Sequence, residues 1–238
     1  MNLYNEILYR PLVNLVVFLY NILPGSDFGL AIIALTVLVR LVFLPLTIKS
    51  VLSQRALSKL GPQQKAIKEK FKNDQVAQNA AILKLYKDNK INPAAGCVPL
   101  LIQLPILIAL YQAFVAGLKP ESLDLLYGFI KNPGFINEKF LGILNIAKPN
   151  FLMTLGASLL QFLQAKQAAA ASKDQGADLG KEMAALNSQM LYFFPILIII
   201  IGWNLPAGLM LYWLTTTALS IAEQAYIKRR YKDKEHKT

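Results

Sequence analysis

Long stretches without charge alternate with short basic ones along the chain. The uncharged runs are Pro93 to Leu118, Pro149 to Ala165 and Met183 to Ala222, and Phe28 to Ile48 is interrupted only by Arg40. Each is long enough to cross or nearly cross a bilayer as a helix. Met183 to Ala222 would extend about 60 Å as a single helix at ~1.5 Å per residue, roughly twice the hydrocarbon thickness, so it must fold back. The break is predicted at Gly202-Trp203-Asn204-Leu205-Pro206-Ala207-Gly208, a turn-forming cluster whose tryptophan suits the headgroup layer.

Charge tests that hairpin, because cytoplasmic segments accumulate Lys and Arg. With five spans and the N-terminus outside, Lys49 to Pro93, the 166–182 loop and the tail after Ala222 place 19 basic residues inside, against five outside: Arg10, Lys119, Lys131, Lys139 and Lys148. Treating Met183 to Ala222 as one span reduces the contrast to 13 against 11, so five spans with the C-terminus inside is the better account. The expected segments are a helix in the outer interface (1–26), spans at 27–48, 94–117, 150–167, 185–203 and 208–226, a basic helical hairpin (49–93), an outer loop (118–149), an inner loop (168–184), an outer turn (204–207) and a basic tail (227–238).

Pro11 to Leu23 is apolar but would reach only about 20 Å as a helix, short for a span. Arg10, Asn14 and Asn21 share one face, with Leu12, Leu15, Phe18 and Leu19 elsewhere, as in a helix lying in the interface before Pro24-Gly25. A cleaved signal peptide is the rival, disfavoured by a lone basic residue ten positions in and by the lack of a small-x-small cleavage site. In the hairpin, Pro62 suits the first turn of a helix through Lys72. Asp74 can cap a second through about Asn89, with Val76, Ala80, Leu83 and Tyr86 at helical spacing. Its basic residues, among them Lys65, Lys68, Lys70 and Lys72, suit anionic lipid or an acidic partner, or serve only to fix topology. The outer loop offers turn signals and no chemistry, and the Ala-rich stretch from Gln167 to Glu182 reads as mobile.

Composition supports a polytopic membrane protein: 55% hydrophobic and 16% charged residues with a mean hydropathy of +0.40 are too apolar for one soluble core of 238 residues. The net charge of +11 is explained by topology, so nucleic acid is not the expected partner. One cysteine, Cys97, and one histidine, His236, leave no basis for a disulfide framework or a zinc site.

Arg40 needs explaining, since an arginine at mid-span costs about 2.5 to 3.5 kcal/mol on insertion scales and should face protein or a wet cavity. The apolar runs from Phe28 to Ile48, Pro93 to Leu118, Pro149 to Ala165 and Met183 to Ala222 contain no Asp or Glu, and Glu223 stands only at the end of the last span. Either Arg40 snorkels about two turns to the cytoplasmic headgroups, or it lines a hydrated, positively charged recess that attracts an anion, with Thr36 one turn earlier on the same face. Gln103, Gln161, Gln164, Tyr212, Trp213, Thr215 to Thr217 and Ser220 are further polar positions in the spans, each of which can equally serve as interhelical glue or an interface anchor. Pro105 and Pro195 would kink their spans.

These residues carry a resemblance. Asp27-Phe28-Gly29 leading to Thr36-Val37-Leu38-Val39-Arg40 and Leu44-Pro45-Leu46-Thr47, the basic hairpin, the run from Asn92-Pro93-Ala94-Ala95-Gly96-Cys97 to Gln103-Leu104-Pro105, and Pro206-Ala207-Gly208-Leu209-Met210-Leu211-Tyr212-Trp213 together resemble the YidC/Oxa/Alb family of membrane protein insertases over essentially the whole chain. The resemblance implies an all-α polytopic membrane protein of the bacterial plasma membrane. Five transmembrane helices would surround a hydrophilic groove open to the cytoplasm, with an interfacial helix and a cytoplasmic helical hairpin added. It implies a short form without the leading span and large periplasmic domain of Gram-negative members. Arg40, Thr36, Gln164 and Trp213 match groove positions, with Tyr212 and Gln103 beside them in the motifs. The implied role is a non-enzymatic insertase without cofactors. Its partners would be nascent membrane proteins and lipid, with the Sec translocon, the signal recognition particle pathway and the ribosome as candidate associates.

Other classes fit less well. Proton-coupled transport usually needs an intramembrane carboxylate or histidine, and an intramembrane protease needs a group to activate its nucleophile; the spans hold neither. No G-x-x-x-x-G-K-[ST] phosphate loop is present. An assembly factor working beside a translocon remains open, since the same groove would serve it.

Overall fold

A computed structural model describes residues 3–92, 98–116, 125–173 and 181–232. The elements in order are a π-helical turn at Asn5–Tyr9, α1 (Arg10–Ile22), α2 (Phe28–Lys59), α3 (Gly61–Lys70), α4 (Gln75–Asp88), α5 (Val98–Ala116), β1 (Lys139–Phe140), β2 (Leu144–Asn145), α6 (Phe151–Lys173), α7 (Lys181–Gly202) and α8 (Ala207–Lys232). The chain divides into two compact units. One comprises Met1–Phe43, Leu100–Gln161 and Pro195–Ser220; the other comprises Leu44–Pro99, Phe162–Phe194 and Ile221–Thr238. Part of the motif run (Pro93 to Cys97), the start of the outer loop (117–124), the middle of the Ala-rich loop (174–180) and the end of the tail with His236 lie outside the described residues.

Among the described residues α2 is the one helix long and apolar enough to cross a membrane by length and composition, and Gln103–Ala113 and Leu191–Gly202 are shorter apolar helical stretches. Only 22% of the most apolar window of α2 is buried inside the protein, which distinguishes it from the core helix of a soluble domain. Its exposed Leu38, Leu41, Val42 and Leu46 follow helical spacing along one side. At 100° per residue, Arg40 and the buried Thr36 fall on the opposite side.

In the first unit, helix ends gather around the outer loop. Asp27 Oδ1 accepts from Leu30 N (3.0 Å) at the start of α2, while Oδ2 accepts from Leu141 N (2.5 Å). Ala207 N and Gly208 N, opening α8, donate to Lys148 O (2.9 Å) and Ile146 O (2.8 Å). Asn150 Oδ1 caps α6 by accepting from Met153 N (3.1 Å), and Thr154 Oγ1 reaches Gly202 O at the end of α7 (3.1 Å). The expected break in Met183–Ala222 is present, with α7 ending at Gly202 and α8 starting at Ala207. A side chain on Gly202 would place its Cβ 2.7 Å from Thr154 Cγ2 and 2.9 Å from Met210 Sδ. Gly202→Val is therefore expected to destabilise the protein by about 1–3 kcal/mol through overpacking, read as a lowered midpoint of thermal unfolding in detergent.

The fold is mostly helical, as expected, with one short ladder in which β1 and β2 pair antiparallel, Lys139 opposite Asn145 and Phe140 opposite Leu144. Two expectations need correction. Helices outrun the apolar boundaries drawn for them. α2 continues from the expected end near residue 48 to Lys59, α6 to Lys173 in place of a loop from 168, and α8 to Lys232. Loss of hydrophobicity marks a change of environment, whereas a helix ends at a breaker, and none occurs between Ile48 and Gly61-Pro62. Finally, the polar face of α1 does not point to water. Asn14 is 2% exposed, and Arg10, Asn14 and Asn21 all bond the outer loop.

In the second unit, α3 has Pro62 in its first turn, and α4 is capped by Asp74, which accepts from Ala77 N. Ala77, Ala81, Ile82, Leu85 and Tyr86 form the less exposed side of α4. Val76 and Leu83, at the expected helical spacing, face outward.

Candidate functional site

The polar residues of the first unit converge on one side of α8. Tyr212, Thr216 and Ser220 recur every fourth residue and so stack along a single face. The Arg40 guanidinium reaches this face from α2. Its Nη2 donates to Thr216 O at 3.0 Å and, through a short hydrogen bond, to Ser220 Oγ, whose own proton goes back to Thr216 O at 2.9 Å. Arg40 is thus anchored on the middle of α8 through these two acceptors. One turn away, Gln103 of α5 donates through Nε2 to Tyr212 Oη (2.5 Å). On the flank, Trp213 Nε1 donates to Gln161 Oε1 of α6 (3.1 Å).

The structure brings Arg40, Tyr212, Trp213 and Gln103 onto elements that share α8. Thr36 is 2% exposed and gives its hydroxyl proton to Ile32 O (2.7 Å), within its own helix. Gln164 is half-buried and falls in the second unit; the glutamine that bonds Trp213 is Gln161, three residues earlier on α6. Lys65, Lys68, Lys70 and Lys72 are exposed on and just beyond α3, with Lys70 Nζ 5.4 Å from the centroid of the Phe71 ring.

Thr216 Oγ1 is buried in the cluster, beside the Tyr212 hydroxyl one turn earlier on the same face. A guanidinium held among the hydroxyls of one helix face can receive an anion or a hydrated polar segment. Among the described residues no group of three or more His, Cys, Asp and Glu is placed to hold a metal.

Comparison with known proteins bears on what such a cluster serves. The 60Kd inner membrane protein family matches residues 18–235. The membrane protein insertase YidC of Fusobacterium nucleatum is 31% identical over 225 residues, covering 94% of this chain and 98% of that protein. The membrane protein insertase YidC of Geotalea daltonii is 32% identical over 93% of this chain, which spans 37% of that longer protein. Among solved structures, an active YidC insertase with its first transmembrane domain resolved superposes with a TM-score of 0.62 at 27% identity. That match covers 95% of this chain and 47% of that one.

Proposed function

The chain belongs to the 60Kd inner membrane protein family, and from that premise we propose that it is a membrane protein insertase of the YidC kind that receives a client's hydrophilic tail at Arg40 while the client's apolar segment enters the lipid. The observation that carries the groove reading is the anchoring of Arg40 on the polar face of α8, at Thr216 O and Ser220 Oγ. α2, α5, α6, α7 and α8 are the five spans of this reading, with the N-terminus outside and the basic segments, including Lys65, Lys68, Lys70 and Lys72, on the cytoplasmic side. Charge asymmetry supports that orientation. The exposed lysines suit anionic lipid or the acidic part of an incoming client.

In this mechanism Arg40 attracts acidic residues of the client's tail into a polar recess, and Gln103, Tyr212, Thr216 and Trp213 supply hydrogen-bonding groups that replace part of the tail's hydration. A polar segment is costly in hydrocarbon because its backbone loses water, so a polar recess lowers the barrier to crossing. Partitioning of about 20 apolar residues into the bilayer then drives the process downhill without nucleotide or covalent chemistry. The Sec translocon, the signal recognition particle pathway and the ribosome enter as routes by which clients reach the hairpin.

The test is insertion of a single-span client with an acidic tail into liposomes containing only this purified protein, scored by protease protection of the tail. Insertion above empty liposomes supports the reading; none, with recovery once a translocon is added, would make the protein an assembly factor. Ser220 gives a finer check. Ser220→Ala removes an acceptor of Arg40 Nη2, a charge-assisted bond of about 1.5–3 kcal/mol, and leaves the charge in place. Insertion is expected to fall several-fold in Ser220→Ala and to recover in Ser220→Thr.

A further inference from the structure

Apolar side chains stand out from the outer loop under conditions that ordinary turn chemistry does not favour. Ile143 N donates to Phe140 O (3.1 Å), closing a turn whose central residues Leu141 and Gly142 have φ of 50° and 73°. A tight hairpin turn with both central residues at positive φ favours Asn-Gly or Gly-Gly, and a leucine at its first position is strained. Despite that strain, Leu141 is 60% exposed and Ile143, beside the glycine, is 89% exposed. Phe129 (82%) and Phe135 (76%) protrude from the same loop, and each is followed by a buried isoleucine, Ile130 and Ile136.

These side chains are held out by a fixed frame. The tip is tied to Asp27 through Leu141 N, the approach to β1 to Tyr20 through the bond from Asn137 N to Tyr20 Oη (3.0 Å), and the exit from β2 to the start of α8 through Ile146 O. The loop then runs into α6, whose first residues Phe151 and Leu152 are exposed, with the exposed Trp203 edge-on to Phe151 at 5.3 Å between centroids. Exposed Lys131 and Lys139 interleave with the apolar positions. Aromatic and apolar tips alternating with lysines, next to helices that begin with exposed aromatics, match the headgroup and acyl boundary of an anionic bilayer.

We propose that the β1–β2 tip, with Phe129 and Phe135, is a lipid-contact surface that dips into the membrane boundary at the end of the first unit where α2, α6 and α8 begin. Contact with lipid removes the exposed apolar area from water and accounts for leucine at a left-handed turn position. The proposal rests on the reading of the first unit as membrane-embedded, which the experiment tests separately.

In a Cys97→Ser background, Ile143→Cys, Phe135→Cys and Leu152→Cys variants of the full chain would each carry a polarity-sensitive nitrobenzoxadiazole dye in vesicles of phosphatidylethanolamine and phosphatidylglycerol. Emission at positions 143 and 135 should be blue-shifted relative to the free dye in buffer and quenched by lipid bearing a shallow doxyl group. Water-like, unquenched dye at 143 and 135 alongside quenched dye at 152 would overturn the proposal and leave the embedded unit intact. Unquenched dye at all three positions would overturn the embedded reading itself, and the proposal with it. A blue-shifted dye at 143 that lipid-borne doxyl does not quench would place protein, a client or a second copy, against the tip and likewise overturn the lipid assignment.

Discussion

Arg40→Ala is expected to reduce insertion of a client with an acidic tail roughly tenfold or more, while a client whose tail is neutral changes by less than about twofold. The magnitude follows from the setting. Two unit charges 4 Å apart are worth about 4 kcal/mol at an effective dielectric constant of ~20 and about 1 kcal/mol in water. A recess that is partly wet lies between these limits, and ~1.4 kcal/mol already corresponds to a factor of ten. Arg40→Lys keeps the charge and offers three rotatable donors for Thr216 O and Ser220 Oγ, so it should stay within a few-fold of wild type. Both clients must be run in the same vesicles, with thermal unfolding of each variant measured alongside. Equal loss for acidic and neutral tails would show that Arg40 serves packing between α2 and α8, and the electrostatic reading would fail. Insertion of the acidic client unchanged by Arg40→Ala would demote the charge altogether.

The parts of the fold that could be read from sequence are those governed by local chemistry. Asp74 before an apolar periodic run predicts a capped helix, and its side chain accepts from Ala77 N. Proline and glycine around Trp203 predict a break, and the helix stops at Gly202. The β1–β2 ladder is only two residues per strand, too short for alternation to register, and is fixed by bonds to Asp27 and to the start of α8 that lie far away in sequence. At the candidate site, Arg40 and the polar positions of α8 stand out because each is anomalous in an apolar span. Arg40's partner at Thr216 is a main-chain carbonyl, which carries no side-chain signature. The pairing of Trp213 with Gln161 is equally invisible to spacing, since Gln161 and Gln164, three residues apart, share a helix face. Asn14 shows the limit most sharply. An asparagine among apolar residues reads as the wet side of an amphipathic helix, and only the tertiary fold supplies the chain that covers it.

That covering makes Asn14 a strong stability lever outside the cluster on α8. Its Nδ2 donates to Arg10 O (2.8 Å) and to Leu125 O (3.0 Å), and its Oδ1 accepts from Tyr127 N (2.6 Å). Three backbone groups therefore depend on one buried side chain, and two of them belong to the outer loop. Asn14→Ala would strand Tyr127 N and remove one of the donors to Leu125 O; the stranded amide costs about 1–3 kcal/mol and the lost bond about 1 kcal/mol more, so a loss of about 2–4 kcal/mol is expected. Asn14→Asp keeps the acceptor for Tyr127 N but turns the donor that faced two carbonyls into a repelling oxygen, and should be at least as damaging at neutral pH. Arg10 Nε also donates to Leu125 O (3.1 Å), so the carbonyl is not wholly abandoned and the loop should loosen without the whole unit unfolding. The measurements are the midpoint of thermal unfolding and limited proteolysis between residues 125 and 135, both in detergent. Faster cleavage there with α2 and α8 still protected would mark Asn14 as the fastener of the outer loop. Unchanged cleavage and an unchanged midpoint would mean that Arg10 and the buried Ile130 and Ile136 suffice to hold it.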